Sequence, residues 1–109
     1  LIRKEEVKGD GAKRALSLTD EPYTYVSVDV DVCANASLRG ARFLDYHGLL
    51  HSDLYGLVGA IYSSLRKSKL VGLDFMEFDV YNAGATISGK RDRTYEIMAE
   101  VFRRLTRDQ

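Results

Sequence analysis

The clearest pattern in the chain is an alternation. Thr24, Val26, Val28, Val30 and Val32 interleave with Tyr25, Ser27, Asp29 and Asp31. Side chains two apart on an extended chain point the same way, so this spacing predicts a strand. One face is a valine stripe for the core, and the other turns polar towards its C-terminal end. A second pattern has a longer period. Leu54, Leu57, Val58, Ile61 and Leu65 recur every three or four residues, which predicts a helix capped by Ser52 and running to about Lys67. Gly56 and Gly59 weaken this helix and suggest close packing against a neighbour. Leu70–Phe78 is apolar on both faces, as in a parallel strand covered from both sides. Ile97, Met98, Val101, Phe102 and Leu105 then mark the buried stripe of a last helix, from about Asp92 to Arg107. Arg103, Arg104 and Arg107 complement the dipole at its end.

Between these elements, residues 33–50 have no strong period and read as one long loop, a feature that compact domains often use for function. Residues 81–89, with Gly84 and Gly89, read as another. Upstream, a turn at Lys8–Gly11 and a short helix over Ala12–Leu18 precede the loop that ends at Pro22. Strand, loop, helix, strand, helix is a βαβ order, which implies a parallel sheet with a right-handed crossover.

Composition narrows the classes. The 109 residues suit one domain. Lys plus Arg and Asp plus Glu total 16 each, so the chain lacks the basic field expected of a nucleic-acid binder. At 45% hydrophobic it has enough apolar residues for a packed core. No apolar run approaches the ~20 residues of a bilayer span, so no membrane role is expected. The single cysteine, Cys33, excludes an intrachain disulfide and fits a reducing, cytoplasmic compartment.

The candidate chemistry lies at the strand ends. Asp is disfavoured in strands, yet Asp29 and Asp31 share the polar face of a strong one, near the end where open α/β sheets bind ligands. Two carboxylates about 7 Å apart along a strand could converge on a hard cation. The competing reading is that both are simply solvated. Glu77 and Asp74 have opposite facings on the second apolar strand, where a charge needs a partner. Glu77 suits a cationic substrate group or a place near a metal, and an ion pair with Arg42 is the structural alternative. His47 and His51 are four apart, but Gly48 between them argues against a shared helix face for a metal. Cys33 is a candidate nucleophile only if a histidine lies beside it.

Several segments resemble the ureohydrolase family, which includes arginase, agmatinase and formiminoglutamase. Ser27-Val28-Asp29-Val30-Asp31 resembles the family's signature strand. Gly40 and Gly48 fall in register with its small residue and its glycine, while Asn35 and Arg39 replace its prolines. Leu49–Tyr55 resembles the following helix start, Val71–Glu77 the last strand, and Asp92-Arg93-Thr94 the approach to the last helix. The likeness runs over roughly residues 22–105. It implies a partial three-layer α/β/α fold with parallel strands, the C-terminal part of an arginase-like fold, with residues 1–109 as a single α/β unit.

The resemblance also implies a function. It points to a binuclear manganese (Mn2+) hydrolase acting on a guanidino or formimino C–N bond, with Asp29 and Asp31 as metal ligands and Glu77 as the substrate-binding carboxylate. The family's upstream His and its Asp-x-His-x-Asp cluster have no counterpart here, and Ala34 stands where an Asp usually follows. The chain is therefore expected to be a C-terminal fragment, inactive alone, whose parent takes a small guanidino substrate. A non-catalytic binding or assembly subunit is the alternative. Asp29-Val30-Asp31 also resembles, more weakly, the first motif of haloacid-dehalogenase-like phosphatases, which would make Asp29 a nucleophile; Cys33 stands where that motif wants Thr. A cut α/β sheet exposes a strand edge, so self-association into a homo-oligomer is expected.

Overall fold

The computed structural model describes residues 22–34, 37–41, 48–65 and 68–107. The turn and short helix expected before Pro22 lie outside these residues, as do Arg42 and His47.

The valine alternation produces β1, Tyr23–Asp29. It pairs in parallel with β2, Lys69–Met76, and the register places Ser27 beside Asp74, Val28 beside Phe75 and Asp29 beside Met76. The register slips between Thr24 and Tyr25, where β2 carries one extra residue. That bulge puts both Leu70 and Leu73 against the core and leaves Val71 exposed. Between the two strands runs α1, His51–Ser64. After β2 come a short antiparallel hairpin, β3 (Thr86–Ile87) and β4 (Lys90–Arg91), and then α2, Thr94–Thr106.

The core is one cluster. Val26, Val28 and Val30 meet Leu54 and Val58 of α1 and Ile97, Met98, Val101 and Leu105 of α2, with Leu73 and Phe75 packed against them. Full burial of such side chains contributes about 1.5–3 kcal/mol each. The opposite face of the sheet carries Tyr25, Ser27, Val71 and Met76, and Tyr25 and Val71 are 60% and 58% exposed. The described residues thus form two layers of a layered α/β fold. The second strand, apolar on both sides, has only one side covered by them.

Four local expectations are corrected. The first strand stops at Asp29, and Val30–Val32 form a 3-10 turn. Ser52 is not the cap of α1. The cap residue is Leu50, whose N–H donates to Asp53, and the first helical N–H, that of His51, donates to Ser37 Oγ at 2.9 Å. Phe102 is 53% exposed and lies off the buried stripe of α2. A Cβ added to Gly56 or Gly59 would meet nothing within 4 Å, so neither glycine serves close packing.

Two other glycines do. A Cβ on Gly48 would lie 2.7 Å from Ala34 N and Cys33 C, because the chain at 48–49 runs against the chain at 32–34. There Leu49 N–H donates to Val32 O at 2.8 Å and Ala34 N–H to Leu49 O at 2.7 Å. A Cβ on Gly40 would lie 2.5 Å from Thr94 Oγ1 and 2.8 Å from Ala83 Cβ. The long loop is therefore pinned at both ends. The expected loop 81–89 also holds structure. Ser88 and Gly89, at φ 52° and 76°, make the two-residue turn of the β3–β4 hairpin. Two-residue strands are too short to show alternation, so the pattern missed them.

Candidate functional site at the strand ends

In a parallel pair both strands finish at the same end, and here that end holds two acidic groups. Asp29 closes β1, opposite Met76, and Glu77 follows Met76 directly. Both residues are exposed. Among the described residues neither has a side-chain hydrogen bond or an ion pair. The Arg42 of the alternative ion pair lies outside these residues.

Glu77 has a backbone φ of 65°, the left-handed region that costs a residue with a Cβ roughly 1 kcal/mol or more. The surrounding bonds impose that conformation. Phe78 bridges to Ala41, Asp79 N–H donates to Gly40 O at 2.7 Å, and Asn82 and Ala83 fold back onto Asp79 O. Phe78 is held in turn between Phe75, edge-on at 6.5 Å, and Tyr95, stacked at 6.0 Å. The turn thus swings the Glu77 carboxylate out of the strand's alternation.

Asp31 is not on a shared strand face with Asp29. It lies in the 3-10 turn, where residues repeat every three rather than every two, and it is half-buried with a polar or electrostatic interaction of its own. Asp74 is bound on the open sheet face. It accepts from Ser27 Oγ at 2.6 Å and from the Tyr25 hydroxyl at 2.5 Å. The Ser27 bond first, and the Tyr25 bond second, hold its pKa below the ordinary Asp value. The same Asp74 bond raises the pKa of Tyr25.

The remaining candidates have structural roles. Cys33 is 2% exposed, and burial pushes its thiol up to about 11, so it is a poor nucleophile. His51 starts α1, with Nδ1 3.2 Å from Ser37 Oγ and its ring edge-on to Tyr55. Among the described residues no group of three or more His, Cys, Asp and Glu could hold a metal ion. Manganese needs a fuller shell of oxygen or imidazole donors than two carboxylates provide. The described residues alone do not fit a binuclear metal site.

In sequence Asp92 is the expected start of the last helix and, with Thr94, part of a resemblance; in the fold the helix starts at Thr94 and the two residues hold the loops behind Glu77 in place. Asp92, 4% exposed, accepts from Arg39 N–H at 2.6 Å, Gly84 N–H at 2.8 Å and Thr94 N–H at 3.1 Å. Thr94, fully buried, accepts from Gly40 N–H at 2.8 Å through Oγ1. In sequence the only signal is an Asp two residues before a helix; its burial, which demands donors around it, is set by the fold.

Comparison with solved structures identifies the fold. The chain is similar to formimidoylglutamase from Bacillus subtilis (TM-score 0.70, 18% identity), covering 95% of this chain and 32% of that one. It is similar to the agmatine ureohydrolase of Thermoplasma volcanium (TM-score 0.68, 23% identity), with 95% and 32% covered. It also resembles proclavaminate amidino hydrolase from Streptomyces clavuligerus (TM-score 0.66, 24% identity), with 99% and 35% covered. No family model matches the sequence, and no curated protein does. All three structures are ureohydrolases, and the described residues form part of the arginase-like α/β fold that the sequence segments pointed to. The chain spans about a third of the length of each.

Proposed function

We propose that this chain supplies the substrate-binding end of a ureohydrolase-type site, in a protein that hydrolyses a guanidino or formimino C–N bond. The observation that carries the reading is that Asp29 and Glu77 stand at the same end of adjacent parallel strands, Glu77 directly after the Met76 that pairs with Asp29, with Glu77 held at φ 65°. Backbone strain persists where surrounding structure enforces it, and functional sites are where it concentrates. A carboxylate suits a planar guanidinium, since its two oxygens accept two parallel N–H bonds and balance the charge. In this reading Glu77 orients the cation, and Asp29 and Asp31 would be two of the metal's carboxylate ligands. Manganese, when bound, would supply Lewis-acid activation of water, but it requires ligands from outside the described residues. The 109-residue chain alone is then inactive, and its single cysteine, free and buried, suits a reducing, cytoplasmic compartment.

The test is urea or formamide release by the full-length protein supplied with manganese. Asp29→Ala and Asp31→Ala should abolish it, and Glu77→Gln should raise KM for the cationic substrate. Undiminished turnover in either Asp variant would sink the reading. The alternative is a non-catalytic binding or assembly subunit. Full-length protein that binds no metal and releases no product, yet binds guanidino compounds through Glu77, would establish that reading instead.

A further inference from the structure

A concavity lies at the start of α1 and the approach to α2, and neither Asp29, Asp31 nor Glu77 lines it. It has a volume of about 610 Å³ and is bounded by Ser37, Leu38, Arg39, His51 and the run Lys90–Arg93. Its charge is unusual for a chain whose formal net charge is zero. Arg39, Lys90, Arg91 and Arg93 bring four cations to one cavity. The one acid in the lining, Asp92, is buried with both oxygens committed to N–H groups. Glu96, outside the lining, reaches only Arg93 at 3.3 Å and Arg91 at 3.9 Å. Lys90 and Arg39 meet no carboxylate among the described residues, and the Arg39 guanidinium is steadied by donating to Lys90 O at 3.0 Å.

The first N–H of each flanking helix is already used: His51 N–H donates to Ser37 and Thr94 N–H to Asp92. The positive charge that lines the cavity is that of its side chains. Three planar guanidinium forks with a flexible ammonium match a multivalent phosphate-type oxyanion better than a single carboxylate, because each fork engages two oxygens at once. We propose that this cavity is a binding site for a diphosphate group, free or carried by a nucleotide, with Arg39 and Lys90 as its principal contacts. The inference is independent of the role of Glu77.

The test is calorimetric titration of sodium pyrophosphate into the full chain at low salt, with ADP and citrate as parallel probes. Saturable one-to-one binding of pyrophosphate is expected. Arg39→Gln, which keeps the main-chain N–H on Asp92, and Lys90→Glu should each weaken it at least tenfold. Lys69→Glu makes the same charge change at an exposed position on β2 and should leave binding within about twofold. ADP that binds more tightly than pyrophosphate assigns the site to a nucleotide, and equal affinity assigns it to the free diphosphate. The proposal is overturned if pyrophosphate shows no saturable binding, if citrate binds as well, or if Lys69→Glu weakens binding as much as Lys90→Glu.

Discussion

Removing the Asp92 carboxylate should destabilise the chain more than any other single polar change among the described residues. Asp92→Ala leaves three main-chain N–H groups, those of Arg39, Gly84 and Thr94, without their acceptor. A hydrogen bond to a charged group contributes about 1.5–3 kcal/mol net, and a buried unsatisfied donor costs about as much. The Thr94 N–H is buried and bears the full penalty, whereas Arg39 and Gly84 are half-buried and regain part of theirs from water. The expected loss is about 4 kcal/mol, against the 5–15 kcal/mol typical of a domain this size. Asp92→Asn retains one carbonyl oxygen but turns an NH2 towards an N–H, so about 2 kcal/mol is expected.

The pH dependence supplies a second readout for the same group. Burial alone would raise the pKa of Asp92, but the donors from Thr94, Gly84 and Arg39 outweigh it and hold the pKa below the ordinary Asp value. A depressed carboxylate pKa contributes stability that is present above the unfolded value, about pH 4, and is lost as pH falls below it. Urea unfolding followed by circular dichroism at pH 7 and at pH 3 measures both effects. The wild-type advantage over Asp92→Asn should shrink at pH 3. A loss below about 1 kcal/mol for Asp92→Ala at pH 7 would refute the reasoning, as would an Asp92→Asn difference that does not change with pH. Should Asp92→Ala fail to fold, Asp92→Asn carries both measurements.

Further outcomes are expected from backbone and packing. Gly48→Ala forces a methyl against main-chain atoms of Cys33 and Ala34 and should cost about 3 kcal/mol or more in the same urea experiment. Gly56→Ala and Gly59→Ala place methyls in open space on α1 and should each add about 0.5–1 kcal/mol. Glu77→Gly relieves a left-handed φ and should raise stability by about 1 kcal/mol while removing guanidinium affinity, seen as loss of agmatine-induced chemical-shift changes at residues 76–79. Self-association through the strand edge and the exposed Tyr25 and Val71 face should appear in sedimentation velocity as species larger than a monomer that grow with concentration; a single monomer boundary at high concentration would exclude it.

The sequence by itself determined the elements with a long, regular period. Val26 and Val28 are buried because alternation allows only one face to reach the core, and the stripes of α1 and α2 follow from 3.6 residues per turn. The order of those elements determined the parallel pairing, since a helix between two strands returns the chain to the same edge. Chain order also placed Asp29 and Glu77 at one end, and that much of the candidate site was legible. What no local pattern contained is the set of non-local bonds. Asp31 leaves the strand because Cys33 and Ala34 bend to meet Gly48 and Leu49, a contact across some fifteen positions of unpatterned loop. Glu77 turns left-handed because Gly40 and Ala41 seize the residues after it. Asp92, which reads in sequence as an ordinary charge before a helix, becomes a buried hub because three distant N–H groups converge on it. Four basic residues around one cavity likewise belong to two separate stretches of a neutral chain. Periodicity reports which face of an element is buried; only the folded chain decides which elements meet, and therefore which charges find a partner.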